Sequence, residues 1–183
     1  MRELSLHIMD ILQNSIKAKA TLIKVVIKEE LEKDVLMIKV IDNGVGIESG
    51  RVQVVKNPFH TSRTTRRVGL GLSLFEAAAN RCEGNLKIWS KVNIGTIITA
   101  VFKHSHIDRA PIGNMSDSII SVILSMDADT DLVYKHFYND RLFTIDTRQI
   151  RDIIGLDISL QRLEVLNWIK EYINEGLMNI MEV

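Results

Sequence analysis

The chain has 183 residues, 46% of them hydrophobic, which suffices for one good core or for one core plus a small appendage. Only two prolines, ten glycines and no repeated or low-complexity stretch exclude a disordered or fibrous chain. Apolar runs of a few residues exclude a membrane-spanning helix, and the start Met1-Arg2-Glu3-Leu4-Ser5 has no signal-peptide profile. Formal net charge is zero, yet residues 1–106 hold 16 Lys+Arg against 10 Asp+Glu and residues 107–183 hold 7 against 13, so a +6 half precedes a −6 half. The single cysteine, Cys82, has no partner for an internal disulfide and reads as a small buried residue. A reducing, cytoplasmic setting is the expectation.

In chain order, Leu4, Ile8, Ile11 and Leu12 recur at helical spacing and predict a helix over 3–18. His7, Asp10, Asn14 and Lys17 line its other side. Strands are expected at 21–28 and 35–41, joined by the charged segment 29–34. After Asp42-Asn43-Gly44-Val45-Gly46-Ile47 comes a loop of weak periodicity that ends at Val68-Gly69-Leu70-Gly71-Leu72. No carboxylate lies between Ser49 and Phe75, whereas Arg51, Lys56, Arg63, Arg66 and Arg67 do, which suits an anionic ligand as well as a solvated basic loop. A second helix is expected over 73–82, closed near Gly84 by a left-handed residue, followed by a hairpin of 86–90 and 96–102 around Asn93-Ile94-Gly95.

Beyond His106 the pattern predicts a helix at 116–126, a hairpin of 132–138 and 142–145, and two helices. The first spans 147–154 and ends at Gly155; the second spans 160–175 and ends at Gly176, with an apolar stripe of Leu163, Leu166, Ile169, Tyr172 and Ile173. The whole reads as an α+β fold, a two-layer α/β sandwich whose mixed, mainly antiparallel sheet is covered on one face by helices. Residues 1–106 form the main domain, and 107–183 a small C-terminal α/β extension or domain.

Three features carry chemistry. The Asn14 amide can offer its oxygen to a hard cation such as Mg2+, and Asp10, one turn earlier, can orient or deprotonate a water beside the same phosphates; alone, the pair is equally a solvated helix face. Asp42, directly after an apolar strand, can accept from the exocyclic amine of adenine and rejects guanine, while the following glycines allow close backbone approach to a flat base. Gly69 to Leu72 opens a helix whose free N–H groups suit phosphate oxygens. No Gly-x-x-x-x-Gly-Lys-Ser/Thr motif is present, which excludes the P-loop class.

Taken in order and spacing, these residues resemble the GHKL superfamily, which holds the ATPase domains of sensor histidine kinases, anti-sigma serine kinases, DNA gyrase, the ninety-kilodalton heat-shock chaperone and MutL. Residues 10–18 are similar to the family's N box, 42–47 to its first glycine box and 69–73 to its second. Asn93-Ile94-Gly95-Thr96 resembles the late glycine element, and Asn57-Pro58-Phe59 with Thr61-Ser62 the phenylalanine element and lid. The resemblance, over about residues 4–103, implies a Bergerat fold with ATP and Mg2+ as cofactors. It makes Asn14 the metal ligand, Asp10 the catalytic base, Asp42 the adenine selector and Thr96 its helper, joined to the aspartate. Gly44, Gly46, Ile47, Gly69, Leu70, Gly71 and Leu72 then shape the pocket, with Lys17, Thr61, Ser62, Arg63 and Arg66 at the phosphates.

Two departures stand out. Asn93 replaces the first glycine of the late element, and Asp10 stands where the superfamily's ATPases carry a longer glutamate. Little sequence precedes the N box, so the expectation is a stand-alone ATPase or protein kinase without its own phospho-accepting histidine domain; His7, inside the site helix, is a supporting polar residue. The alternative is a non-catalytic, ATP-dependent switch that docks on a regulatory protein. Either reading implies a protein partner, as phospho-acceptor, regulatory target or second copy, with no membrane; the −6 half argues against nucleic acid.

Overall fold

The computed structural model describes residues 3–48, 70–155 and 157–182. Helix α1 (Leu4–Lys17) buries Leu4, Ile8, Ile11 and Leu12 as its spacing predicts, and Lys19, with φ +57°, turns the chain into β1 (Leu22–Glu30). β1 and β2 (Val35–Asp42) pair antiparallel, then α2 (Leu70–Arg81) leads into β3 (Asn85–Lys91) and β4 (Gly95–Lys103). α3 (Met115–Ser125) is capped by Asn114, whose Oδ1 accepts from the Asp117 N–H at 3.0 Å. β5 (Asp131–Tyr138), β6 (Arg141–Asp146), α4 (Thr147–Ile154) and α5 (Leu163–Met181) complete the chain.

The six strands form one sheet in the order β3-β4-β2-β1-β5-β6, antiparallel throughout except where β5 lies parallel to β1. β5 therefore continues the sheet begun by β1, and a single cluster of buried side chains runs from Leu4 through Phe75 and Tyr134 to Ile180. The sheet is mixed and mainly antiparallel, with helices packed on one face, an α+β sandwich.

Three local expectations need correction. α2 begins at Leu70, not Ser73, so Gly71 lies inside its first turn. The left-handed residue after α2 is Glu83, at φ +56°; Gly84 is required because a Cβ there would sit 1.8 Å from the Val101 carbonyl oxygen. α5 starts at Leu163 and runs through Gly176, which does not end it: a Cβ at that position would lie 2.1 Å from the Phe143 ring, so the glycine admits an aromatic side chain against the helix. The stripe on α5 also divides, since Leu166, Ile169 and Ile173 are buried while Leu163 and Tyr172 are exposed.

Under the helices, at the end of β1 remote from Asp42, the buried Glu29 carboxylate lies 2.8 Å from His136 Nε2 and 2.8 Å from His104 Nε2. The Tyr134 hydroxyl is 2.7 Å from His136 Nδ1, and burial pushes that phenol far above its ordinary range. A neutral phenol donates to Nδ1, which leaves the Nε2 proton of His136 for Glu29. Burial alone would raise the Glu29 pKa, but the hydrogen bonds from His136 and His104 outweigh it and hold the carboxyl below the usual range.

Candidate functional site

Because the inner face of α1 is locked into the core, Asp10 and Lys17 are turned to solvent and Asn14 is half-buried. Neither the Asp10 carboxylate nor the Asn14 amide makes a side-chain hydrogen bond among the described residues. Lys17 is exposed at the C-terminal end of the same helix.

Distant segments converge on this helix. Asp42, only 8% exposed at the end of β2, accepts from Ser15 Oγ at 2.8 Å and from the Gly44 N–H at 2.9 Å. The Val45 N–H donates to the Ala18 carbonyl at 2.9 Å, and a Cβ on Gly44 would sit 2.7 Å from that same oxygen. At the other end of the stripe, a Cβ on Gly71 would lie 3.1 Å from Asp10 Oδ2. The first glycine turn thus closes against the end of α1 and the second against Asp10, with Asp42 tied to the helix between them.

The late turn closes the third side. Thr96 is buried directly opposite Asp42 in the β2–β4 register, and Gly95, at φ +130°, passes so close to Asp42 that a Cβ would meet its carbonyl oxygen at 1.9 Å. The Thr96 hydroxyl contacts Ser90 Oγ at 2.9 Å, and Ser90 also accepts from the Ile47 N–H at 2.8 Å. Thr96 therefore packs beside the aspartate while its hydroxyl is held by Ser90, and the hydroxyl bonded to the carboxylate is that of Ser15. Gly46, at φ +70°, leaves no room for a side chain, since a Cβ would be 2.1 Å from the Lys91 carbonyl oxygen.

Sequence reasoning missed Ser15 and Ser90. The available signal for Ser15 was its place four residues after Ile11, on the buried side of α1, where a hydroxyl needs a partner. Leu72 is a core residue, Leu70 begins α2, and Thr61, Ser62, Arg63, Arg66 and Gly69 lie outside the described residues. His7 is buried and stacks on Phe75 of α2 at 5.0 Å; its Nδ1 has no partner among the described residues. Burial lowers the His7 pKa against the opposing pull of Asp10, which favours a neutral ring joining the two helices. Two clefts, of about 580 Å³ near Met178 and about 450 Å³ near Gln161, include none of Asp10, Asn14 and Asp42.

Residues 2–106 match the family described as histidine kinase-, DNA gyrase B- and HSP90-like ATPase. The chain belongs to this family. Among its relatives, a probable C4-dicarboxylate sensor kinase of Halalkalibacterium halodurans is 44% identical over 66 residues, 36% of this chain and 12% of that one. Sensor histidine kinase YvrG of Bacillus subtilis is 31% identical over 100 residues, 51% of this chain and 17% of its own length. The chain thus spans less than a fifth of the length of either relative. The N-terminal domain of a DNA repair protein has the same fold, with a TM-score of 0.54 at 15% identity over 79% of this chain and 52% of the other. Among the described residues, no helix of this family member is long and apolar enough to cross a membrane.

Proposed function

We propose that this GHKL-type chain binds Mg-ATP along α1 and uses it as an ATPase or as a kinase acting on a partner protein. The observation that carries the reading is the tethering of Asp42. A carboxylate has about four acceptor positions, and Ser15 and Gly44 occupy two of those on Asp42, fixing its orientation and leaving capacity for the amino group of adenine. Family membership implies ATP as the ligand.

In this reading Asn14 holds the Mg2+ that neutralises the triphosphate, and its half-buried amide, unpaired among the described residues, fits that role. Asp10 faces solvent beside Gly71 at the start of α2, where it orients or deprotonates the attacking group. Phosphoryl transfer needs chiefly positioning and charge neutralisation, and α1 brings both residues to one side. The relatives are named as sensor kinases, which favours a protein acceptor.

A second reading keeps ATP binding without turnover, the nucleotide acting as a switch for docking; the short reach of Asp10 favours it. Incubation of the pure protein with γ-labelled ATP, alone and with candidate partners, distinguishes them. Released phosphate marks an ATPase, a labelled partner marks a kinase, and intact bound ATP marks the switch. Absence of nucleotide binding refutes all three.

A further inference from the structure

The sheet has two unlike faces. Side chains directly opposite on neighbouring strands share a face, and the set containing Ile23, Val25, Leu36, Ile38, Ala100 and Phe102 is buried beneath the helices. The alternate set across β1 to β4 is half-buried or exposed. One row of it crosses all six strands as Lys87, Thr99, Lys39, Val26, Lys135 and Thr144.

This open face is strongly basic. Lys28 and Lys103 are paired with Glu30 and Glu83, but Lys24, Lys39, Lys87, Lys91 and Lys135 have no ion-pair partner among the described residues. Every carboxylate on the face, Glu30, Asp131 and Asp146, already meets a cation. Apolar side chains such as Val26, Met37 and Ile41 lie between the lysines, half-buried.

The complementary surface is on the same chain. Along α5 and its cap, Glu164, Trp168, Glu171, Glu175, Met178 and Glu182 follow at steps of four, three, four, three and four, so they form one strip. All six are exposed, opposite the buried Leu166, Ile169 and Ile173. None of the four carboxylates is ion-paired among the described residues, and Lys170 is turned aside to Asp117 at 2.6 Å. Trp168 stands 47% exposed, stacked on Tyr172 at 5.3 Å.

We infer that the open sheet face receives the acidic strip of α5 from a second copy of this chain, head to tail. The 19 residues of α5 span roughly 28 Å, and the nine residues of β1 or β4 roughly 30 Å. A helix laid along the strands covers their length, sets its glutamates among the lysines, and gives Trp168 the apolar floor between them. The face carries two aromatics, Trp89 on β3 and Phe137 on β5, set apart by the aliphatic residues of the strands between them, whereas a single-stranded nucleic acid stacks successive bases on neighbouring aromatic platforms. The charge match with α5 favours the helix as occupant. The two surfaces lie on opposite sides of the sheet, so the contact does not close as a two-fold pair and further copies can add. A single helix on a sheet buries less than the ~1,200 Å² of a stable interface, so the association is weak and salt-sensitive. It does not depend on nucleotide.

Sedimentation velocity of the full chain over rising concentration, at low and high salt, tests this. The expected result is average mass growing past the dimer at low salt and monomer at about 0.5 M salt, where screening is nearly complete. K39E/K135E and E171K/E175K should each remain monomeric alone and associate again when mixed, because each restores the opposite charge to the other. Circular dichroism checks their folding, and K24E/K87E replaces the first pair if it does not fold. A wild-type monomer at every concentration and salt overturns the inference. So do variants that still self-associate, a mixture that does not, or a monomer that binds a single-stranded oligonucleotide through the same lysines.

Discussion

Replacing Asp42 with Asn tests the centre of the site with the smallest change of shape. The carboxylate accepts from Ser15 Oγ and from the Gly44 N–H through different oxygens, at 2.8 and 2.9 Å. An amide keeps one acceptor and turns an N–H2 group toward the other donor, so either the tether to α1 or the glycine turn loses its bond. An adenine amino group approaching the same atoms meets a donor where it needs an acceptor. A buried donor left unsatisfied costs about 1–3 kcal/mol, which corresponds to an affinity loss of roughly 5- to 150-fold. Isothermal titration of the variant with Mg-ATP measures it, with thermal unfolding in parallel because Asp42 also ties β2 to α1. Ser15→Ala should fall between wild type and Asp42→Asn, since it removes one donor and leaves the charge. ATP affinity within twofold of wild type in the folded Asp42→Asn protein would refute the adenine-selector role.

Asp10→Asn should bind ATP with near wild-type affinity and lose turnover, as measured by phosphate release or transfer to a partner; a fully active variant excludes Asp10 as the base. Gly176→Ala sets a methyl where the Phe143 ring lies, an overpacking that costs about 1–3 kcal/mol, or a fall in Tm of roughly 2–12 °C by calorimetry. An unchanged Tm would mean that the ring moves aside freely. Glu29 is held below its ordinary pKa by His136 and His104, so its stabilisation is complete above the unfolded-state value and is lost as pH falls through the folded one. Urea unfolding from pH 7 downward should show acid destabilisation that Glu29→Gln diminishes, and an identical acid slope in the variant contradicts the assignment.

Much of the element order was legible locally. The spacing of Leu4, Ile8, Ile11 and Leu12 defines α1, and Thr147 to Gly155 defines α4 to the residue, because both patterns are set within a few turns of chain. Asp42, Asn14 and the glycine elements were recognisable because short motifs with fixed spacing carry them. Where local signals had two meanings they misled: a glycine marks either a left-handed turn or a close approach, and at Gly84 and Gly176 it was the second.

The amino-acid sequence by itself determined most of the segments that become helix and strand and the motifs by which the family is recognised, since periodicity and turn chemistry act over neighbouring residues. Only the tertiary structure decided that β5 lies beside β1 across a hundred residues of chain, that Ser15 orients Asp42, that Glu29 rests between two histidines, and that one face of the sheet stays open. Those pairings depend on which surfaces meet in three dimensions, and hydrogen-bond and steric complementarity between distant segments leaves no periodic trace in the chain.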